Sequence, residues 1–174
     1  MTNTATVIQG QEVLFGDDEL IVSKTDLKGR ILYCNTTFMR VSGYTESELL
    51  GAPHSLLRHP AMPRCIFKLL WETISDGREM FAYVVNRTRN GGYYWVFAHV
   101  TPSFDGDGTV IGYHSNRRKP LTGAVRTIES LYRQLLDIES RSHDRKEGML
   151  AAYQALFDIL KEKGVGYDEF ILAL

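Results

Sequence analysis

Two turns constrain this chain more than anything else in it. Asn90-Gly91 separates two runs rich in β-branched and aromatic residues, Met80 to Arg89 and Tyr93 to Ser103, and Asp105-Gly106-Asp107-Gly108 separates the second run from a third, Thr109 to Arg117. Asn-Gly favours hairpins because both residues tolerate the positive φ that matches the twist of the flanking strands. Three consecutive antiparallel strands are therefore predicted. A further pair of short apolar runs, Leu20-Ile21-Val22 and Arg30-Ile31-Leu32-Tyr33-Cys34, flanks Asp26-Leu27-Lys28-Gly29 and predicts a hairpin. Helical signals lie between the two groups of strands. Asn35 precedes Phe38, Val41 and Tyr44 as an N-cap, and Thr45-Glu46-Ser47-Glu48 reads as a capping box before Leu49-Leu50, stopped by Gly51. Pro63 and Gly77 bracket a longer helix over 64–76. The predicted class is α+β, with a five-stranded antiparallel sheet and flanking helices.

Beyond Pro120 the pattern changes. Val125, Ile128, Leu131, Tyr132, Leu135 and Ile138 form one helical stripe, and Met149, Leu150, Tyr153, Leu156, Phe157 and Leu160 form a second. The charged stretch 139–147 between them reads as a solvated joint, Ser142-His143-Asp144-Arg145 included. Asp168 is placed to cap a last turn ending Phe170-Ile171-Leu172. Three parts follow: an N-terminal arm (1–18), a sheet domain (19–120) and a C-terminal helical segment (121–174) expected to serve output and assembly. The two stripes hold more apolar side chains than one outer sheet face is expected to cover, which predicts a homodimer. The arm, with Val7, Ile8, Val13, Leu14 and Phe15, is expected to compete for the same surface.

The 20 Lys and Arg against 21 Asp and Glu leave a net charge of −1, without the positive footprint of a phosphate-binding surface, so nucleic acid is not expected as a partner. No apolar run approaches the roughly 20 residues of a membrane span, and the first residues lack a secretory pattern; the expected location is cytoplasmic, with no membrane insertion. Cys34 and Cys65 show neither zinc-ligand nor disulfide-framework spacing. No phosphate loop, nucleophile elbow or metalloprotease motif is present, so no enzymatic activity is expected.

The order of elements and several motifs resemble a known family. Asp26 to Phe38, Ser42-Gly43-Tyr44 and Leu49-Leu50-Gly51 look like the opening of a PAS domain. Arg58-His59-Pro60-Ala61-Met62-Pro63, then Phe67, Leu70-Trp71, Gly77, Asn86-Arg87, Asn90-Gly91, Tyr94-Trp95-Val96 and Pro102, resemble the FAD-binding PAS domains of bacterial aerotaxis receptors. The match covers about residues 19–119. The resemblance implies an FAD-binding sensor that signals redox, oxygen or energy state through its helical segments in aerotaxis or chemotaxis. It places flavin contacts on Asn35, Arg58, His59, Phe67, Trp71 and Asn86.

Each of these residue types suits the task. Arg58 and His59 offer cationic and hydrogen-bonding groups to a pyrophosphate or ribityl chain. Phe67 and Trp71, i and i+4 on the long helix, can wall an aromatic ligand. Asn86 carries an amide donor and acceptor to match an isoalloxazine edge. By strand alternation, Met80, Ala82, Val84 and Asn86 share the inner face, as do Val96, Ala98 and Val100, while Trp95, Phe97 and His99 point outward. Gly112 and His114 also share a face, and His114 stands where flavin-binding light-oxygen-voltage domains place a glutamine near the reactive flavin nitrogen. Their photoreactive cysteine corresponds here to Leu57, which removes flavin-thiol adduct chemistry. Two family features are replaced: Ala61 stands for an acid, and Glu79-Met80-Phe81-Ala82 stands for a Pro-Trp-Ser-Gly run, with Met80 able to fill the tryptophan's space. Three alternatives remain open: a ligand-free dimerisation or interaction module, a haem sensor using His54 or His59 as axial ligand, and a flavin oxidoreductase.

Overall fold

A computed structural model describes residues 8–174; Val7 and the rest of residues 1–7 lie outside the described residues. Strands β1 (Ile21–Thr25), β2 (Ile31–Cys34), β3 (Met80–Arg87), β4 (Tyr93–Phe104) and β5 (Val110–Arg118) form one antiparallel sheet in the order β2-β1-β5-β4-β3. The three-strand run 3-4-5 and the hairpin 1-2 are both present, joined edge to edge by β1 and β5. Between β2 and β3 come α1 (Thr36–Ser42), α2 (Glu46–Leu49), a 3-10 turn (His54–Leu57) and α3 (Arg64–Ser75). The chain ends with α4 (Thr122–Arg141), α5 (Arg145–Glu162) and α6 (Tyr167–Leu172).

Local chemistry accounts for the element ends. Asn35 caps α1, its Oδ1 accepting from the Phe38 N–H at 3.0 Å, and the same oxygen accepts from the Val22 N–H at 3.0 Å while its Nδ2 donates to the Leu20 carbonyl. One side chain thus closes a helix and pins the start of β1. At α2 the predicted capping box is present, with Glu48 accepting from the Thr45 N–H at 2.9 Å. The hairpin at Asn90-Gly91 is looser than a two-residue turn: the loop spans 88–92, and only Gly91 takes a positive φ, +82°. The arm explains this. Val13 donates to the Tyr93 carbonyl at 2.7 Å and Tyr93 donates to that of Gln11 at 3.1 Å, and a Cβ on Gly92 would lie 2.5 Å from the Gln11 carbonyl oxygen. At the far end Gly166, not Asp168, precedes α6, because Tyr167 is already helical and Asp168 sits in the first turn.

The core has three parts. Phe15, Ile21, Ile31, Phe38, Leu49, Leu57, Tyr94 and Val96 fill the space between the sheet's inner face and α1, α2 and the 3-10 turn. Ile74, Met80, Ala82 and Tyr113 close the end beneath α3. The largest cluster is on the outer face. Tyr83, Val85 and Trp95 meet Ile128, Leu131, Tyr132 and Leu135 of α4, Ala152, Leu156 and Leu160 of α5 and Ile171 of α6. Most of both helical stripes is covered within the chain, while Leu150 and Phe157 of the second stay exposed, at 42% and 37%. α5 folds back on α4 and packs against α3 and α6, so the helices cover much of each other and the sheet face takes only part of their apolar area. Glu139 is also not part of a solvated joint: it is 5% exposed. Gly148 permits the crossing, since a Cβ there would stand 2.4 Å from the Glu139 carbonyl oxygen.

Candidate functional site

A cavity of about 300 Å³ lies between the inner sheet face and α3, at the lower end of the size range of small-molecule sites. Its floor is apolar: Val84, Ala98 and Val100 from the sheet face Leu70 and Ile74 of α3. Phe67, Leu70, Trp71 and Ile74 recur at i, i+3, i+4 and i+7, so one stripe of α3 forms the wall. Trp71 is 39% exposed and stands at the mouth, edge-on to Tyr113 at 5.7 Å between ring centroids. Gly29, in the β1–β2 turn at φ +74°, lets that turn approach the indole, which a Cβ would meet at 3.0 Å.

Polar groups converge on this apolar chamber. Asn86 is 4% exposed and lines it beside Val84. Arg58 reaches it from the segment after the 3-10 turn, its backbone bridged to that of Asn86 and its guanidinium 4.1 Å from the centre of the Phe67 ring. Burial lowers the Arg58 pKa. Arg117 is 2% exposed; its guanidinium lies 4.6 Å from the Phe38 ring centre, donates to Ser23 Oγ, and donates to His54 Nε2 at 3.2 Å. Its Nε has no hydrogen-bond partner among the described residues. Desolvation pushes Arg117 down to about 10, so it remains charged at neutral pH. The lining thus carries three cations, Lys28, Arg58 and Arg117, and no carboxylate.

The structure brings together four of the seven residues expected here, Arg58, Phe67, Trp71 and Asn86, and sets three apart. Asn35 is engaged in its cap and strand contacts. His59 is buried elsewhere: its Nδ1 accepts from the Ala61 N–H at 3.0 Å and its ring lies against Tyr93. His114 is on the opposite face of the sheet. The β4–β5 register decides this, because Ala98 pairs with Arg117 and Val100 with Ser115, whereas Thr101 pairs with His114. Tyr113, Ser115 and Arg117 therefore face the cavity. Gly112 serves β1 instead, since a Cβ there would lie 2.4 Å from the Thr25 carbonyl oxygen. Alternation in β5 alone could not select the face, because both sets of residues, 113-115-117 and 114-116-118, mix polar with bulky groups.

His54, Ser23 and Ser115 complete the polar lining. The His54 ring lies between Phe38 and Arg117, and burial together with the guanidinium pushes it down to about 3. An Arg N–H can only donate, so His54 Nε2 is an acceptor in the neutral ring. This has a pH consequence. In the unfolded chain the imidazole titrates near 6.5 and in the folded chain near 3, so below about pH 6.5 the unfolded state binds more protons and stability falls as pH falls. Between about pH 6.5 and 5, above most carboxylates, wild type is expected to lose stability at up to roughly 1.4 kcal/mol per pH unit more steeply than His54→Gln. His59 and His114, also lowered by burial, contribute in the same direction to both proteins, so the difference isolates His54. Parallel slopes in urea titrations would refute the assignment.

The residues fit a flavin on this structure's own terms: flat apolar walls suit a tricyclic ring, a buried amide faces it, a buried guanidinium has a free N–H, and cations flank the chamber. Neither cysteine lines the cavity. Among the described residues, no group of three His, Cys, Asp or Glu side chains is placed to hold a metal ion, and no helix is long and apolar enough to cross a membrane.

Comparison with known proteins agrees with the topology. The family model of the PAS fold matches residues 31–117. Over 125 residues, 72% of this chain, the sequence is 39% identical to the aerotaxis receptor of Escherichia coli (strain K12), of which it covers 24%. It is 31% identical over 97 residues to a nitrogen fixation regulatory protein of Klebsiella oxytoca, covering 56% of this chain and 20% of that one. The chain thus spans about a quarter or less of the length of these relatives. Among solved structures, a light-oxygen-voltage domain studied with a flavin analogue superposes with a TM-score of 0.56 at 20% identity, covering 64% of this chain and 83% of that one. The light state of the Aureochrome1 light-oxygen-voltage domain gives 0.54 at 22% identity, covering 70% and 91%. With a matched family model, a five-stranded sheet of this order and a relative at this identity, the chain belongs to the PAS family.

Proposed function

We propose that this PAS domain is a sensory module, not an enzyme, that binds FAD noncovalently and passes its redox state to the helical segments, as a part of an aerotaxis-type signalling system. The observation that carries the reading is the lining itself: an apolar slot with one buried amide, three cations and no carboxylate. A buried guanidinium is costly unless something compensates it, and an electron-rich, phosphate-bearing ligand does so. FAD would supply reversible uptake of electrons and protons at its ring.

The chain's residues then have separable tasks. Phe67, Leu70 and Ile74 on one side and Val84, Ala98 and Val100 on the other hold a flat ring and exclude water. Lys28 and Arg58 flank the slot as partners for phosphates. Asn86 would pair with a ring edge in either protonation state, through its oxygen or its NH2 group. Arg117, its fork held by Ser23, His54 and Phe38, would stabilise negative charge on a bound ring. Haem is disfavoured, because the His54 lone pair that would bind iron already accepts from Arg117 and His59 stands outside the cavity.

Absorbance of the purified protein tests the reading: bands at about 450 nm are expected, and a Soret band or a featureless spectrum after FAD addition would replace it with haem or with a ligand-free interaction module. Asn86→Ala combined with Arg58→Ala is expected to lower FAD content at least tenfold, each lost hydrogen bond to a charged or buried partner being worth about 1–3 kcal/mol. Unchanged FAD content would remove both residues from the site. Steady consumption of NADH by the loaded protein would instead make it an oxidoreductase.

A further inference from the structure

Helix α3 has two working faces. Phe67, Leu70, Trp71 and Ile74 face the cavity. Cys65, Lys68, Leu69 and Glu72 recur at the same i, i+3, i+4, i+7 spacing two positions earlier, a rotation of about 200° around the helix. This second stripe meets the C-terminal helices. Glu139 of α4 reaches back to the first turn of α3: its Oε1 accepts from the Cys65 N–H at 2.9 Å and its Oε2 accepts from Arg64 Nε at 2.9 Å. The start of α3 is thus capped by a side chain 74 residues away, and no residue of its own provides a cap hydrogen bond. Arg64 also donates to the Arg145 carbonyl at 2.6 Å, next to the N-terminus of α5. One and two turns along, Lys68 lies 4.8 Å from the Tyr153 ring centre and the Tyr153 hydroxyl donates to Glu72 at 2.8 Å. Cys65 and Ile66 are buried in the same cluster as Ala152 and Leu156.

We infer that Glu139, Arg64 and Tyr153 form a clasp that makes α3 the relay from the cavity to the helical segment, so that filling the cavity is read out as a change in the seating of α5. A helix that is one wall of a pocket and is gripped on its far side at both ends cannot shift or settle without its grip following, since packed interfaces respond as units. The alternative route runs through the sheet, where the Tyr132 hydroxyl donates to the Tyr83 carbonyl at 2.7 Å, next to the cavity-lining Val84. The two routes differ in geometry. The sheet route holds α4 to a backbone already fixed by strand pairing on β4, whereas α3 is held to the sheet by side chains alone. The inference concerns how the site is regulated and in its ligand arm rests on the FAD reading.

Hydrogen exchange of the full chain separates the two. Phe67→Leu and Leu70→Ala, both on the cavity face of α3, are expected to speed exchange of α5 amides by at least roughly fivefold, the lower range of measured coupling between sites. Val84→Ala, on the cavity face of β3, is expected to leave α5 unchanged. In a Glu139→Gln, Tyr153→Phe background, which keeps every side chain's volume, the effect of Phe67→Leu on α5 is expected to disappear while β-sheet amides remain protected. FAD is expected to protect α5 in wild type and not in that background. If Val84→Ala disturbs α5 as much as Phe67→Leu does, or if the effect survives in the clasp variant, the relay is wrong. If FAD fails to bind at all, the FAD reading falls, and the ligand-free comparison still decides on the clasp.

Discussion

Leu156→Ala is expected to cost this protein about 2–5 kcal/mol and to do so across the whole chain in one transition. Leu156 lies on α5 with no exposed surface, in the cluster that joins Tyr83, Val85 and Trp95 of the sheet to α4, α5 and α6. Removing three of its side-chain carbons leaves a void that α3, α4 and α6, packed around α5, can close only in part. Because the same cluster includes Cys65 and Ile66 of α3, loosening it also loosens the cavity wall. Far-UV circular dichroism, tryptophan emission and urea midpoint are expected to shift together. Helical signal melting ahead of the tryptophan signal would show instead that residues 121–174 fold as an independent unit.

Arg117→Met has a different signature, a small change in stability and a large one in binding. The native guanidinium loses its hydration with no carboxylate among the residues lining its site, a cost of several kcal/mol. Its hydrogen bonds to Ser23 and His54, at about 1.5–3 kcal/mol each, and its contact with the Phe38 face, at about 1–2 kcal/mol, offset most of that. Methionine fills similar volume without the charge, so stability without ligand is expected to move by less than about 2 kcal/mol in either direction. FAD affinity is expected to fall ten- to a hundredfold, as a charged hydrogen bond to the ring is lost. Arg117→Lys keeps the charge but not the fork and is expected to fall between the two. Equal FAD affinity in wild type and Arg117→Met, measured by fluorescence titration, would take Arg117 out of the ligand site and leave it a structural cation.

Strands, turns and short helices follow from local rules, and those elements were legible in the residues alone. The Gly and Asx turns bracket β3, β4 and β5, the Asn35 cap opens α1, and the period of 3.6 in 66–74 marks α3. The inner-face assignments of Val84, Asn86, Ala98 and Val100 were legible too, because two-residue alternation is set within each strand. Asn35 and His59 show where motif matching ends: both belong to the recognised pattern, yet hydrogen bonds to Val22, Leu20 and Phe38 in one case and to Ala61 in the other engage them in the frame around the cavity.

What only the tertiary structure decided is everything that depends on which surfaces meet. The face of β5 is set by its register with β4, a long-range pairing that exchanges His114 for Arg117 at the cavity without altering any local propensity. Glu139 sits in a run of charged residues that composition reads as solvated; it is buried because the N-terminus of α3 offers an unpaired N–H and an arginine at the point where α4 ends. The cover of the two apolar stripes is set by the α4–α5 crossing at Gly148, which packs the two helices against each other over the sheet and α3. Sequence periodicity specifies that a stripe must be covered, while the identity of the cover is settled by the packing of segments distant in the chain.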